Sequence, residues 1–260
     1  MFSHEPRCIF RKNQLGEVIC QFRFPEILII NTETPAQFQE MIRDTFPLYT
    51  LRQETCGPQI RNNQGALRIE TPPATNNHQF STADNNWCVN LTSSFISLSC
   101  SKYIRWEQFA KYFDLVLSAF IKAYSPAYFT RVGLRYLNFI SREKLSLNGI
   151  PFKELLKPQY LGILSYEDIP ENVTRRCTID AQVDLPGGCT LKVHAGPGLV
   201  KRDADDNEVK FIFDQDLFIG GNIALHTSTA ALNMLHNNAY SIFCGAITET
   251  LFDAMDPQPV

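Results

Sequence analysis

Nowhere does the chain hold an uninterrupted apolar run of the roughly 18 residues that a membrane-spanning helix needs, and this argues against a membrane protein. Its opening residues, MFSHEPRCIFRKN, lack a long apolar segment followed by a small-residue cleavage site, so no secretory signal is expected. No basic excess is present: the net charge is −3. A nucleic-acid-binding surface is therefore not supported, because gripping a phosphate backbone takes an excess of Lys and Arg. G-x-x-x-x-G-K-[ST], G-x-G-x-x-G, G-x-S-x-G and H-E-x-x-H are all missing, and with them the commonest nucleotide, dinucleotide, hydrolase and metalloprotease signatures. There is no C-x-x-C and no His at ligand spacing from a Cys, so a zinc site is not expected. Internal repeats and low-complexity linkers are also lacking.

What is present is the composition of a folded protein. Of 260 residues, 44% are hydrophobic and 20% charged, which excludes a disordered chain. Phe is plentiful at 19 against 4 Met, so a core built on rings is expected. The 8 cysteines fall mostly among apolar neighbours, as Cys20 does in VICQF and Cys177 in RRCTI. They read as buried thiols in a reducing, cytoplasmic compartment.

Periodicity places the elements. Residues 16–24 alternate, with Val18, Cys20, Phe22 and Phe24 on one side and Glu17, Gln21 and Arg23 on the other, as in a strand with one buried face. Residues 34–46 read as a helix: Thr34 as N-cap, Pro35 in the first turn, Gln37 completing a capping box, and Phe38, Met41, Ile42 and Thr45 on one side. Within the turn-rich stretch 50–82 we expect a strand near 66–70, a loop at 72–77 and a further strand. A turn at 84–86 and a WCVNLT/FISLSC hairpin follow. A helix over 103–124 carries Trp106, Phe109, Phe113, Val116, Leu117 and Phe120 at helical spacing, closed by Pro126. The strand 129–140 comes next.

The rest of the chain reads as a short helix and loops over 150–166, then an alternating hairpin over 176–185 and CTLKVHAG, joined by PGG at 186–188. In its first strand, Ile179, Ala181, Val183 and Leu185 are expected inward, with Asp180, Gln182 and Asp184 outward. The acidic stretch 203–208 is expected as a solvated loop, 209–219 as a strand and 228–253 as one helix. The fold class is thus α+β: an antiparallel-rich sheet with long helices on one face. The first half, about 1–145, resembles a ferredoxin-like βαββαβ unit with an extra strand. The second, about 146–260, is a meander plus C-terminal helix, and the whole forms one compact unit.

Three patterns bear on function. In YFTRVGLRYLN, Arg131, Gly133 and Arg135 share one side of a strand, the guanidiniums about 13–14 Å apart with an open lane over the glycine. Such a side suits a phosphate or carboxylate, or pairing with acidic neighbours. In FIFDQDLF, Asp214 and Asp216 share a side as well, so they suit a divalent metal, acid–base work, or ion pairs with Arg131 and Arg135 across adjacent strands. His194 lies on the polar side of its strand beside the side carrying Asp180, while His226 and His236 read as surface residues of the last helix.

Taken in order, GEVICQFRFP, the aromatic strand around Trp87, YIRWEQF, RVGLRYLN, FIFDQD and the final amphipathic helix resemble an uncharacterised, sporadically distributed bacterial family of about this length, whose most specific motif is R-x-G-L-R-Y-x-N. The resemblance carries no activity, substrate or cofactor. Its patchy distribution implies an accessory role, such as phage defence or toxin control. Three functions stay open: a non-catalytic module binding a protein partner or a second copy, with no cofactor; a metal-dependent phosphate-ester enzyme in which Arg131 and Arg135 clamp the phosphate while Asp214 and Asp216 hold the metal; and a nucleotide or small-ligand sensor with a cavity between sheet and helices.

Overall fold

The computed structural model describes residues 1–3, 6–54, 59–63, 66–70, 74–201 and 206–260. In chain order its elements are β1 (Cys8–Phe10), β2 (Leu15–Arg23), α1 (Ile29–Thr32), α2 (Ala36–Ile42), β3 (Leu48–Glu54), β4 (Gln59–Asn63), β5 (Ala66–Glu70), β6 (Thr75–Ser81), β7 (Trp87–Leu91), β8 (Phe95–Cys100), α3 (Trp106–Tyr124), β9 (Phe129–Ile140), β10 (Ile179–Leu185), β11 (Cys189–Leu199), β12 (Val209–Ile223), α4 (Ser228–Ala246), α5 (Glu249–Ala254) and β13 (Pro257–Pro259). The expectations that concern Cys56, residues 72–73 and 203–205 lie outside the described residues.

The fold is mixed α and β with antiparallel sheets. Nine strands form one sheet in the order β10-β11-β12-β9-β2-β8-β7-β6-β3, so both halves of the chain contribute to it. β1 pairs with β13, and β4 with β5, in two small sheets. Period-two alternation buries one row of each central strand: Val18, Cys20 and Phe22 on β2, Val132 and Leu134 on β9, and Phe211, Phe213 and Leu217 on β12. Rings join this row to the helices. Phe22 meets Phe113 of α3 at a centroid distance of 4.8 Å, and Phe213 meets Phe243 of α4 at 6.0 Å. Burial pushes the Cys20 thiol well above its usual range and that of Cys100 up to about 11, so both act as small apolar core groups. No described helix is long and apolar enough to cross a membrane.

Several expectations need correction, among them the loop at 72–77, whose residues 75–77 are the start of β6. The Thr34–Gln37 capping box does not form. Pro35, at φ −77° and ψ 49°, makes an inverse γ-turn in which the Ala36 N–H bonds to the Thr34 carbonyl at 2.8 Å. The helix then ends at Ile42, and Phe46 rather than Thr45 enters the core. The stretch 150–166 holds only 3₁₀ turns. The last helix breaks at Ile247, which bridges to Leu156, and Thr248 caps α5 by accepting from the Leu251 N–H. Finally, Ala181 and Val183 on β10 are exposed, because β10 is an edge strand and the middle of its expected inward row is left uncovered, while Leu185 is buried as expected.

α3 ends as the sequence suggests, just ahead of Pro126. Ser125 takes the left-handed conformation at φ 47°, and its N–H closes on the Ile121 carbonyl at 2.9 Å. In the β10–β11 turn, Gly187 and Gly188 sit at φ +84° and +77°, where a side chain would be strained.

Candidate functional site

β9 and β12 are neighbours, with Asp216 directly opposite Arg135 and Phe218 opposite Gly133. β11 adjoins β12 and β10 adjoins β11, so Asp180, His194 and Asp214 form one row and Gln182, Lys192, Asp216 and Arg135 the next. All six residues singled out from the sequence, Arg131, Arg135, Asp214, Asp216, Asp180 and His194, are brought together on the outward row of the sheet.

They are engaged with one another. Arg135 binds Asp214 in a fork, Nε to Oδ1 at 2.8 Å and Nη2 to Oδ2 at 2.6 Å, and this carboxylate raises the Arg135 pKa further. Arg131 reaches along its strand to Asp216, with Nη2 at 2.8 and 2.9 Å from the two carboxylate oxygens. Its guanidinium fills the lane over Gly133: a Cβ there would lie 2.3 Å from Nη1. The same guanidinium stacks over the Phe218 ring at 4.5 Å. The space that the glycine opens is thus occupied by Arg131 itself. His194 Nδ1 lies 2.7 Å from Asp180 Oδ1, both largely exposed. Among the described residues no group of three or more His, Cys, Asp or Glu is placed to hold a metal ion.

The second constellation lies on the buried row and was not anticipated as a site. On β12 the inward series Phe211, Phe213, Gln215, Leu217 contains one polar member. Gln215 is 1% exposed, and its Oε1 has no hydrogen-bond partner. Opposite it on β9 stands Tyr136, whose hydroxyl lies 2.7 Å from Nδ1 of His236 on α4. His236 is not a surface residue, as its setting on the helix had suggested. It is 6% exposed and stacked on Trp106 of α3, the rings 4.1 Å apart and 5° from parallel. Its other nitrogen, Nε2, is also without a partner.

These groups line a cavity of about 90 Å³, walled on its further sides by β1 and Met255. One enclosed water needs roughly 10–15 Å³ on this measure, so the space holds several waters or a small molecule. Burial, reinforced by the positive charge of Arg7, lowers the His236 pKa to about 3, and the imidazole is neutral at pH 7. Burial also pushes the Tyr136 hydroxyl well above its usual range. At the rim, Arg7 and Arg105 both bind Glu107, at 2.8 and 2.9 Å. Burial alone would raise that carboxyl, but the two guanidiniums outweigh it and hold its pKa at about 2.

An unpartnered buried acceptor costs about 1–3 kcal/mol. Gln215 and His236, two of the residues that line this cavity, each hold one fully buried polar atom without a partner. The legible signal was Gln215, a lone amide in an apolar inward row; His236 carried none, since the partners that bury it are distant in sequence. No protein-family model matches this chain, and no curated protein matches it at a meaningful level of similarity.

Proposed function

We propose that this protein is a non-catalytic binding module whose ligand is a small molecule held in the cavity between Gln215, Tyr136 and His236. The single observation that carries this reading is a cavity under the sheet whose lining includes two buried polar residues, Gln215 and His236, each with an atom left without a partner. The outward row supports the non-catalytic part. The Asp214 and Asp216 carboxylates are each held by an arginine, so the groups required for a phosphate-ester enzyme are spent on one another. The strand order β9-β2-β8-β7 supports a ferredoxin-like first half with added strands, and α3 and α4 then lie over the sheet on the cavity side. An accessory role in phage defence or toxin control, implied by the family resemblance, fits a cytoplasmic sensor that reports ligand occupancy to a protein partner or a second copy.

Thermal denaturation across a broad panel of uncharged and charged metabolites tests this. At least one compound is expected to raise the melting temperature in a concentration-dependent way, because a ligand that binds only the folded state stabilises it by mass action. His236→Phe, which keeps the stack on Trp106, should abolish that rise. A panel with no effect, or a rise that persists undiminished in His236→Phe, would refute the reading.

A further inference from the structure

We infer that the edge strand β3 is a docking surface for a second copy of this chain, which pairs its own β3 antiparallel to it about a two-fold axis at Thr50. The assignment goes beyond the cavity and does not rest on it.

β3 ends the nine-stranded sheet, and among the described residues β6 is its one strand neighbour. Its outer row of backbone N–H and C=O groups is therefore open to another strand. Edges are usually blunted by charge or proline, yet residues 48–51 read Leu-Tyr-Thr-Leu. Every residue from 48 to 53 is exposed, and three of them are the large apolar side chains Leu48, Tyr49 and Leu51. The Tyr49 ring is already fixed in place. Its hydroxyl lies 3.0 Å from His78 Nδ1, while His78 Nε2 lies 2.9 Å from the Ile30 carbonyl. A carbonyl only accepts, so Nε2 donates to it and Nδ1 accepts from Tyr49. A side chain held this way loses little freedom on docking. Ile30 belongs to α1, whose start leaves Leu28 and Ile29 exposed and adds apolar surface on the side that Tyr49 faces.

The pattern of side chains says what fits there. Successive residues of a strand point to opposite sides of the sheet, so a two-fold axis normal to it aligns the sides of two copies only when it passes through a residue. With the axis at Thr50, Tyr49 faces the second copy's Leu51 and Leu51 faces its Tyr49, both on the helix side. On the other side Thr50 meets Thr50, and Leu48 meets Arg52, whose aliphatic stem can cover it. Ring–aliphatic and Thr–Thr pairs are stabilising across strands, and no like charges meet. The opposite edge lacks this self-complementarity: β10 paired with itself over its whole length would set Asp180 against Asp184 twice. The assembly therefore closes at two copies. A short strand pairing is a small interface, so association is weak and depends on concentration.

Sedimentation velocity of the full chain, from low to high micromolar concentration, tests this. The parent should pass from one copy to two and no further. Thr50→Lys and Thr50→Glu each set like charges face to face across the axis, so each should weaken the dimer at least tenfold. Mixed in equal amounts they should restore it, since Lys then faces Glu. Were the axis at Leu51 instead, position 50 would face Arg52 and Thr50→Glu would strengthen the dimer. Gln182→Lys on β10 should leave association unchanged. If the Thr50 variants do not fold, Leu51→Ala takes their place and should weaken the dimer at least tenfold. The assignment is overturned by a parent that stays a single copy, by a dimer that these β3 variants leave undiminished, by strengthening in Thr50→Glu, by a Lys–Glu mixture that fails to recover the dimer, or by loss of the dimer in Gln182→Lys.

Discussion

At Gly133 the missing side chain is what makes room for a neighbour. The Arg131 guanidinium lies across that residue to reach Asp216, and a methyl group there would meet Nη1 at 2.3 Å. Gly133→Ala should therefore dislodge Arg131 and cost about 1–3 kcal/mol, the usual loss when a charged hydrogen bond in a partly buried setting is broken. Urea unfolding of Gly133→Ala, Arg131→Ala and the double variant checks this. The double variant should be little worse than Arg131→Ala alone, since both changes remove one interaction; simple additivity would show that the guanidinium is not held by that lane. His236 makes a different prediction. Its folded-state pKa is about 3 against 6.5 for the free group, lowered first by burial and then by Arg7, with Glu107 opposing. Between those values the unfolded chain binds the extra proton and the folded one does not. Stability is then full above pH 6.5 and falls as the pH drops toward 3, by about 2 kcal/mol at pH 5 at 1.36 kcal/mol per pH step. Unfolding free energies at pH 7 and pH 5 should differ by about that much more in the parent than in His236→Gln.

Among the elements, the central strands were the legible ones. β2, β9 and β12 bury one row and leave the other mostly half-buried, so their alternation shows in GEVICQFRF, FTRVGLRYLNFI and VKFIFDQDLFI, and the outward Arg and Asp rows could be read from two-residue spacing. The edges were not legible for a physical reason: alternation says which residues share a side but not whether anything covers it. β10 alternates well yet leaves Val183 41% exposed, and β3 keeps Leu48, Tyr49 and Leu51 between 38% and 45% exposed, with no polar-apolar contrast to announce a strand. The break in the last helix was equally hidden, because it depends on the bridge from Ile247 to Leu156 on a remote loop. The same difference should appear in hydrogen exchange. Amides of 179–185 on β10 are expected to exchange early, and those of β2 and β9, paired on both sides, late. Equal protection at the edge and centre would contradict the sheet order.

At the scale of the molecule, the outward ladder and the cavity differ in how far apart their residues lie in the chain. The ladder draws mainly on two strands with matching local patterns. The cavity needs Tyr136, Gln215 and His236 from three elements and Trp106 from a fourth, so only the tertiary fold brings them together. Its walls run from Arg7 to Met255, and β1 is held in place by pairing Cys8 with Pro259. A nascent chain therefore has no complete cavity until β13 can pair with β1. A single cut that releases β1 or β13 would open this cavity while most of the nine-stranded sheet remained intact.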